Sequence, residues 1–344
     1  MTKHGQIMES EICQTPDVFS KIISSNLISE PLTSLLEDSE IHSILVLARG
    51  TSDNAAHFFK YLVETKLGLP CGLTSPSSIS IYNSKLKYEK TLVVAISQSG
   101  KSTDLVEFAK AAKNSGAKLV SITNDSSSPL AKTADFHISL QAGPEIAVAA
   151  TKSYSAQLLI SYLLVMAWAS KKPAIDKLVS EAESVLAARG KIADLAKSID
   201  LSRQLVVLGR GFAYPNAKEA ALKIQETCKV SVHGMSTADY LHGPISSLDP
   251  NAQVILLAPC CMPKNSISEA VEKIRLITKH IYWIGNGSEP SIGEVKLGGS
   301  SCSDEITSSI VDAMILQELS RNLSVAIGLN PDAPVGLSKV TLTI

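Results

Sequence analysis

The sequence contains no Cys-x-x-Cys pair and no cysteine–histidine cluster with zinc-ligand spacing. Its six cysteines, at 13, 71, 228, 260, 261 and 302, are scattered, which reads as reduced thiols in a cytoplasmic protein. Aromatic residues make up only 5%, so no base-stacking surface is expected. There is no basic excess: 32 Lys and Arg stand against 33 Asp and Glu, for a net charge of −1. Proteins that read nucleic-acid phosphates by charge carry such an excess, so nucleic acid is not an expected partner. No long hydrophobic run is present either. The longest, Leu158 to Ala169 with Ser161 inside it, is too short to span a bilayer and reads as a buried helix. The N-terminus, Met1-Thr2-Lys3-His4-Gly5-Gln6, has no apolar signal core. The expectation is a soluble cytoplasmic protein without membrane, metal or cofactor.

What is present is ordinary globular material, 344 residues with 45% hydrophobic and 19% charged. At roughly 150 residues per domain, that is about two domains. Short apolar runs that end in turn residues and lead into helical patterns read as strands of a parallel sheet. The first is Ser43 to Ala48, entering Arg49-Gly50-Thr51-Ser52, with a helix over 53–66. The second is Leu92 to Ile96, entering Ser97-Gln98-Ser99-Gly100, with a helix over 102–114. Lys118 to Ile122 and Phe136 to Leu140 follow. The alternation predicts an α/β fold.

The pattern occurs twice. Residues 205–211, L-V-V-L-G-R-G, echo 44–50, I-L-V-L-A-R-G, at a spacing of 161. Residues 254–257 echo 93–96 at the same spacing, and 281–284 echo 120–123 more weakly. Ile175, Leu178, Val179, Ala182, Val185 and Leu186 lie on one face of a connecting helix. The expected domains are a leading helical segment, 1–40, a first half with connecting helices, 41–198, and a second half with its tail, 199–344.

Ligands of open parallel sheets sit at the carboxyl ends of strands. Ser97-Gln98-Ser99-Gly100-Lys101-Ser102 lies at such an end and opens a helix, whose free amides suit an anion. Hydroxyls and an amide add donors, and Gly100 permits close approach. With Ser52 at the same edge, the set fits a phosphate monoester. The competing interpretation is a polar loop whose serines cap the helix. A P-loop is excluded because its first glycine falls at Ala95, and a dinucleotide fingerprint from Gly209 fails at Tyr214. In the second half, Ala258-Pro259-Cys260-Cys261 replaces the serines, so one phosphate site is expected, in the first half. Glu219, Lys223 and Glu226 are spaced for one helical face, by itself a solvated, salt-bridged surface. His242-Gly243-Pro244 and Lys339 are by default structural and solvated.

Taken together, these motifs resemble the sugar isomerase (SIS) family of phosphosugar proteins. They are similar to the isomerase part of the glucosamine-6-phosphate synthases over roughly residues 40–344. Arg49-Gly50-Thr51-Ser52 resembles the family's C-G-T-S turn, and Ser97-Gln98-Ser99-Gly100 its S-Q-S-G phosphate loop. Glu145-Ile146-Ala147-Val148-Ala149-Ala150-Thr151-Lys152 is similar to E-I-G-V-A-S-T-K. Residues 219–226 resemble E-G-A-L-K-L-K-E, His242-Gly243-Pro244 resembles H-G-P, and residues 334–339 resemble P-R-N-L-A-K. Arg49 in place of the family cysteine and Ala150 in place of a sugar-contacting serine are departures.

The resemblance implies two tandem SIS subdomains, each a doubly wound, flavodoxin-like parallel sheet flanked by helices. It implies phosphate contacts from Ser52, Ser97, Gln98, Ser99 and Ser102, and sugar contacts from Thr51, Glu145, Val148 and Thr151. Glu226 would move a proton between C2 and C1, Lys223 would stabilise the enolate-like charge, and His242 would assist ring opening. Lys339 matches a Schiff-base lysine. A homodimer with shared active sites is expected, because the family's His reaches a neighbouring subunit. Only about 40 residues precede the first strand, so no glutaminase domain is expected. The implied activity is therefore a stand-alone glucosamine-6-phosphate deaminase that needs no cofactor. The alternatives are a fructosamine-6-phosphate deglycase and a non-enzymatic phosphosugar-binding regulator.

Overall fold

The computed structural model describes residues 4–36, 41–263 and 265–339. Parts of the leading segment (1–3, 37–40) and the end of the tail (340–344) lie outside the described residues. The helices of the first half are α1 (Gln6–Cys13), α2 (Thr15–Ser24), α3 (Glu30–Thr33), α4 (Thr51–Lys66), α5 (Ser77–Ser80), α6 (Thr103–Asn114), α7 (Pro129–Thr133) and α8 (Lys152–Trp168). Then come α9 (Leu178–Ala187), α10 (Arg189–Ser198), α11 (Tyr214–Cys228), α12 (Thr237–Leu241), α13 (Ser268–Ile277) and α14 (Glu305–Ala326). The strands are β1 (Ser43–Leu47), β2 (Cys71–Leu73), β3 (Thr91–Ser97), β4 (Lys118–Thr123) and β5 (Phe136–Ser139), then β6 (Leu205–Gly209), β7 (Val232–Ser236), β8 (Gln253–Leu257), β9 (His280–Ile284) and β10 (Val295–Leu297).

The α/β class holds, with one doubly wound sheet in each half. The first sheet has the order β2-β1-β3-β4-β5 and the second, read in the same direction, β7-β6-β8-β9-β10. Every pairing is parallel. This is the flavodoxin-like order, used twice. The central strands are buried throughout because helices cover both faces: all seven residues of β3 and all five of β8 are buried, and their middles are apolar. On α6, Leu105, Phe108, Ala109 and Ala112 form the stripe that packs on β1, β3 and β4. On α13, Ala270, Val271 and Ile274 do the same against β6, β8 and β9. The apolar run 158–169 is the helix α8, buried along nearly its whole length. Among the described residues no helix is long and apolar enough to cross a membrane.

The repeat is also kept in register. Ile44 pairs with Leu92 as Leu205 pairs with Gln253, and Ile44 with Cys71 as Leu205 with Val232, all at the 161 spacing. The third echo needs correction. Val93 pairs with Leu119, whereas Val254 pairs with Ile281, a spacing of 162. Both alignments read as apolar because these strands are buried on both faces, so the sequence does not distinguish them. The structure must, since a one-residue slip exchanges the two faces of a strand.

The chain divides into two compact units. One comprises Asp17–Glu145, Lys152–Pro173 and Ser338–Ile344, and holds the first sheet. The other comprises Met1–Pro16, Ile146–Thr151 and Ala174–Leu337, and holds the second sheet together with α9 and α10. Sequence order alone places those two helices with the first half.

Candidate active site

In a sheet of order 2-1-3, the connections leaving β1 and β3 depart to opposite faces and open a crevice between the two strand ends. In the first unit, Arg49 to Ser52 leave β1, and Ser97 to Ser102 leave β3. Arg49 Nε donates to Asp104 Oδ2 at 2.9 Å and ties the two segments together. Gly100 has φ 63, and a Cβ there would lie 2.2 Å from Ser128 Oγ, so only glycine fits this bend.

Three of the serine hydroxyls accept hydrogen bonds from within the protein. Ser97 Oγ accepts from Gly100 N at 3.1 Å, Ser99 Oγ from Lys101 N at 3.2 Å, and Ser52 Oγ from Gln157 Nε2 at 2.9 Å. Each hydroxyl is used there as an acceptor and keeps its own proton to donate. Ser102 precedes α6 but makes no side-chain cap, which argues against a purely capping role. Gln98 and Thr51 stand half-buried at the same sheet edge. Gln157 carries no signal in the sequence, since it sits inside an apolar helix. It is fully buried, and its Oε1 has no hydrogen-bond partner among the described residues.

The same unit joins Glu145 to Lys339. The buried Glu145 carboxylate accepts from Lys339 Nζ at 2.8 Å, from Ser153 Oγ at 2.7 Å and from Ser153 N at 3.0 Å. Lys339 is thus paired rather than solvated. Burial pushes the Glu145 pKa up, but the Lys339 ammonium and the Ser153 hydrogen bonds outweigh it and hold the group below its ordinary 4.5. A depressed folded-state value gives stability that is complete above the ordinary range and lost as pH falls through the folded value. Thermal melts taken downward from pH 6 are expected to show a shallower acid loss for Glu145→Gln than for the wild type.

In the second unit, α11 carries the proton-transfer candidates. Glu219 and Lys223 are 3% and 1% exposed, so this is not a solvated face. Lys223 Nζ donates to Glu226 Oε2 and lies 3.6 Å from Glu219 Oε1. Glu226 is half-buried, so part of its side chain is accessible. His242 is exposed at the end of α12, beside Gly243 with φ 145.

The motif 145–152 straddles the unit boundary. In the second unit, Val148 N donates to Asp332 O at 3.1 Å, and Thr151 O accepts from Gln317 Nε2 at 3.0 Å. Glu11 Oε1 accepts from Ile146 N and from Ala147 N, the latter at 3.3 Å. Glu11 therefore fixes the backbone of the predicted sugar loop. Nothing in its helical sequence context signals this, because its partners are backbone amides 135 and 136 residues away. Among the described residues no three His, Cys, Asp or Glu side chains are grouped as metal ligands.

Residues 39–167 match the SIS domain family. The glutamine–fructose-6-phosphate aminotransferase (isomerizing) of Methanothermobacter thermautotrophicus is 32% identical over 315 residues, which span 90% of this chain and 53% of that protein. The chain spans about half the length of the curated relatives it matches. The C-terminal domain of glucosamine-fructose-6-phosphate aminotransferase from Francisella tularensis superposes with a TM-score of 0.87 at 23% identity, covering 97% of this chain and 98% of that one. Glucosamine-6-phosphate deaminase from Thermotoga maritima superposes at 0.78 with 21% identity, covering 98% and 100%. At those two identities the likeness establishes the fold. Residues 39–167 form an SIS domain, and over nine-tenths of its length the chain is related to the isomerase portion of the glutamine–fructose-6-phosphate aminotransferases.

Proposed function

We propose that the protein converts glucosamine 6-phosphate and water to fructose 6-phosphate and ammonia. Ser52, Ser97, Gln98, Ser99 and Ser102, with the amides at the starts of α4 and α6, hold the phosphate. Thr51, Glu145, Val148 and Thr151 contact the sugar. His242 passes the proton that opens the pyranose ring. Glu226 takes the proton from C2 and returns it to C1, while O1 gains a proton and the amine nitrogen gives one up, so that the C1 aldehyde becomes an alcohol and C2 becomes an imine. Water then adds to C2 and ammonia leaves. Lys223 offsets the negative charge that builds on O1. Lys339, paired with Glu145, either adds to the ketose carbonyl after giving up its proton or closes the site.

The observation that carries this reading is Glu226 held against Lys223. An ammonium buried between two carboxylates is costly, and here it sets a partly accessible base beside a cation. The fold is shared with both the Thermotoga maritima deaminase and the Francisella tularensis aminotransferase domain, and so is compatible with either direction. Run backward, the same steps aminate fructose 6-phosphate, in keeping with the name of the curated relatives.

Ser102→Ala tests the phosphate site. A hydrogen bond to a charged group contributes about 1.5–3 kcal/mol, so KM for glucosamine 6-phosphate is expected to rise about 10- to 100-fold. Tm is expected to stay unchanged, because Ser102 caps nothing. An unchanged KM, or equal turnover of unphosphorylated glucosamine, would overturn the site.

A homodimer in which His242 serves the neighbouring site makes a separate prediction. Glu226→Gln and His242→Ala are each expected to be nearly inactive alone. Subunits mixed by denaturation and refolding are expected to recover about a quarter of wild-type activity, since half of the dimers are mixed and each has one intact site. No recovery would place His242 and Glu226 in the same chain's site.

A further inference from the structure

The second sheet keeps the backbone of the first sheet's ligand loops. Gly211 stands 161 residues after Gly50, and their φ values are 56 and 57. Cys261 stands 161 residues after Gly100, and their φ values are 64 and 63. A left-handed backbone is disfavoured for cysteine, so retaining it means that the loop shape persists without the glycine.

The two loops differ in what stands before them. A Cβ built on Gly50 would meet no described atom within 4 Å, whereas on Gly211 it would lie 3.0 Å from Glu305 Oε1. The same oxygen accepts from Phe212 N at 3.3 Å, and Phe212 is the counterpart of Thr51. The counterpart of Ser99, Cys260, donates its N–H to Ser308 Oγ at 3.0 Å. Both loops of the second crevice therefore spend an amide on the first turn of α14. At the same strand ends lies a cavity of about 10 Å³ lined by Asn216, Pro259, Asp312 and Ser309. Ser309 is fully buried, and its hydroxyl has no hydrogen-bond partner among the described residues.

We infer that the switch point of the second sheet is an anion site whose ligand is the chain's own Glu305 carboxylate. A phosphate or phosphate monoester takes that place only when Glu305 is shortened. One chain accordingly holds one phosphosugar, and the missing serines after β8 follow from the site being filled from within. The single phosphate on the wild type rests on the first-sheet site proposed above, whereas the second-sheet site rests on the second unit alone.

Calorimetric titration with inorganic phosphate tests it. The wild type is expected to take one phosphate per chain, and Glu305→Ala two. The start of α14 does not depend on Glu305, because Asp304 caps it by accepting from Thr307 N at 2.9 Å. If the alanine variant nevertheless fails to fold, Glu305→Ser, too short to reach Phe212 N, is expected to take two. Glu305→Gln keeps an acceptor oxygen and is expected to stay at one. Two phosphates on the wild type, or no gain over the wild type in both the Ala and Ser variants, would overturn the inference. No phosphate on the wild type with one on Glu305→Ala would support it while removing the phosphate site proposed for the first sheet.

Discussion

Glu226→Gln is expected to lower kcat for glucosamine 6-phosphate by about 10²–10⁴-fold, the usual contribution of a positioned acid–base group. Glutamine keeps the size and the hydrogen-bonding oxygen of the side chain but cannot take up the C2 proton. Binding of the phosphosugar, which depends on loops of the other unit, is expected to persist. Calorimetry gives the Kd and a coupled ammonia assay gives kcat. A Glu226→Gln protein with full activity would remove Glu226 as the base. A protein that loses binding and turnover together would make Glu226 a structural residue.

Lys223→Met is expected to lower stability far more than Ser102→Ala or Glu226→Gln. The side chain is 2% exposed, with Glu226 on one side and Glu219, itself 4% exposed, on the other. Methionine fills similar volume but leaves Glu219 buried without its lysine. Breaking a buried ion pair from one side costs about 3–5 kcal/mol. The double change Lys223→Met with Glu219→Gln is expected to recover much of that loss, because no charge is then stranded. Recovery of stability without recovery of activity would separate the folding role of Lys223 from its role beside the reacting oxygen. A Lys223→Met protein that melts with the wild type would show that Glu219 does not need its lysine.

Much of the architecture is legible in the sequence. The strands β1, β3 and β6 are largely apolar runs ending in glycine or serine turns, and β8 is a like run entering Ala258-Pro259; covering by helices on both faces demands the apolar pattern. The edge strands β2, β7 and β10 escape notice because they are short or interrupted: Cys-Gly-Leu, Val-His-Gly-Met-Ser and Val-Lys-Leu. An edge strand has one neighbour and carries less of the core, so its sequence is less constrained. The register of β9 differs by one from the apolar alignment for the opposite reason, since its residues suit either face. At the site, the motif residues are legible because hydroxyls, carboxylates and glycines cluster there at strand ends. Glu11, Gln157 and Glu305 are not. Each acts on a group 93 or more residues away in the chain, through a backbone amide or a hydroxyl that leaves no local pattern. The burial of Lys223 is likewise invisible, because a Glu-Lys-Glu face reads the same whether water or protein covers it.

The most direct measurement is product formation from glucosamine 6-phosphate without any added amine or amide. Fructose 6-phosphate and ammonia are expected in equal amounts, with the rate dependent on Glu226. Absence of both products at every substrate concentration would contradict the proposed activity.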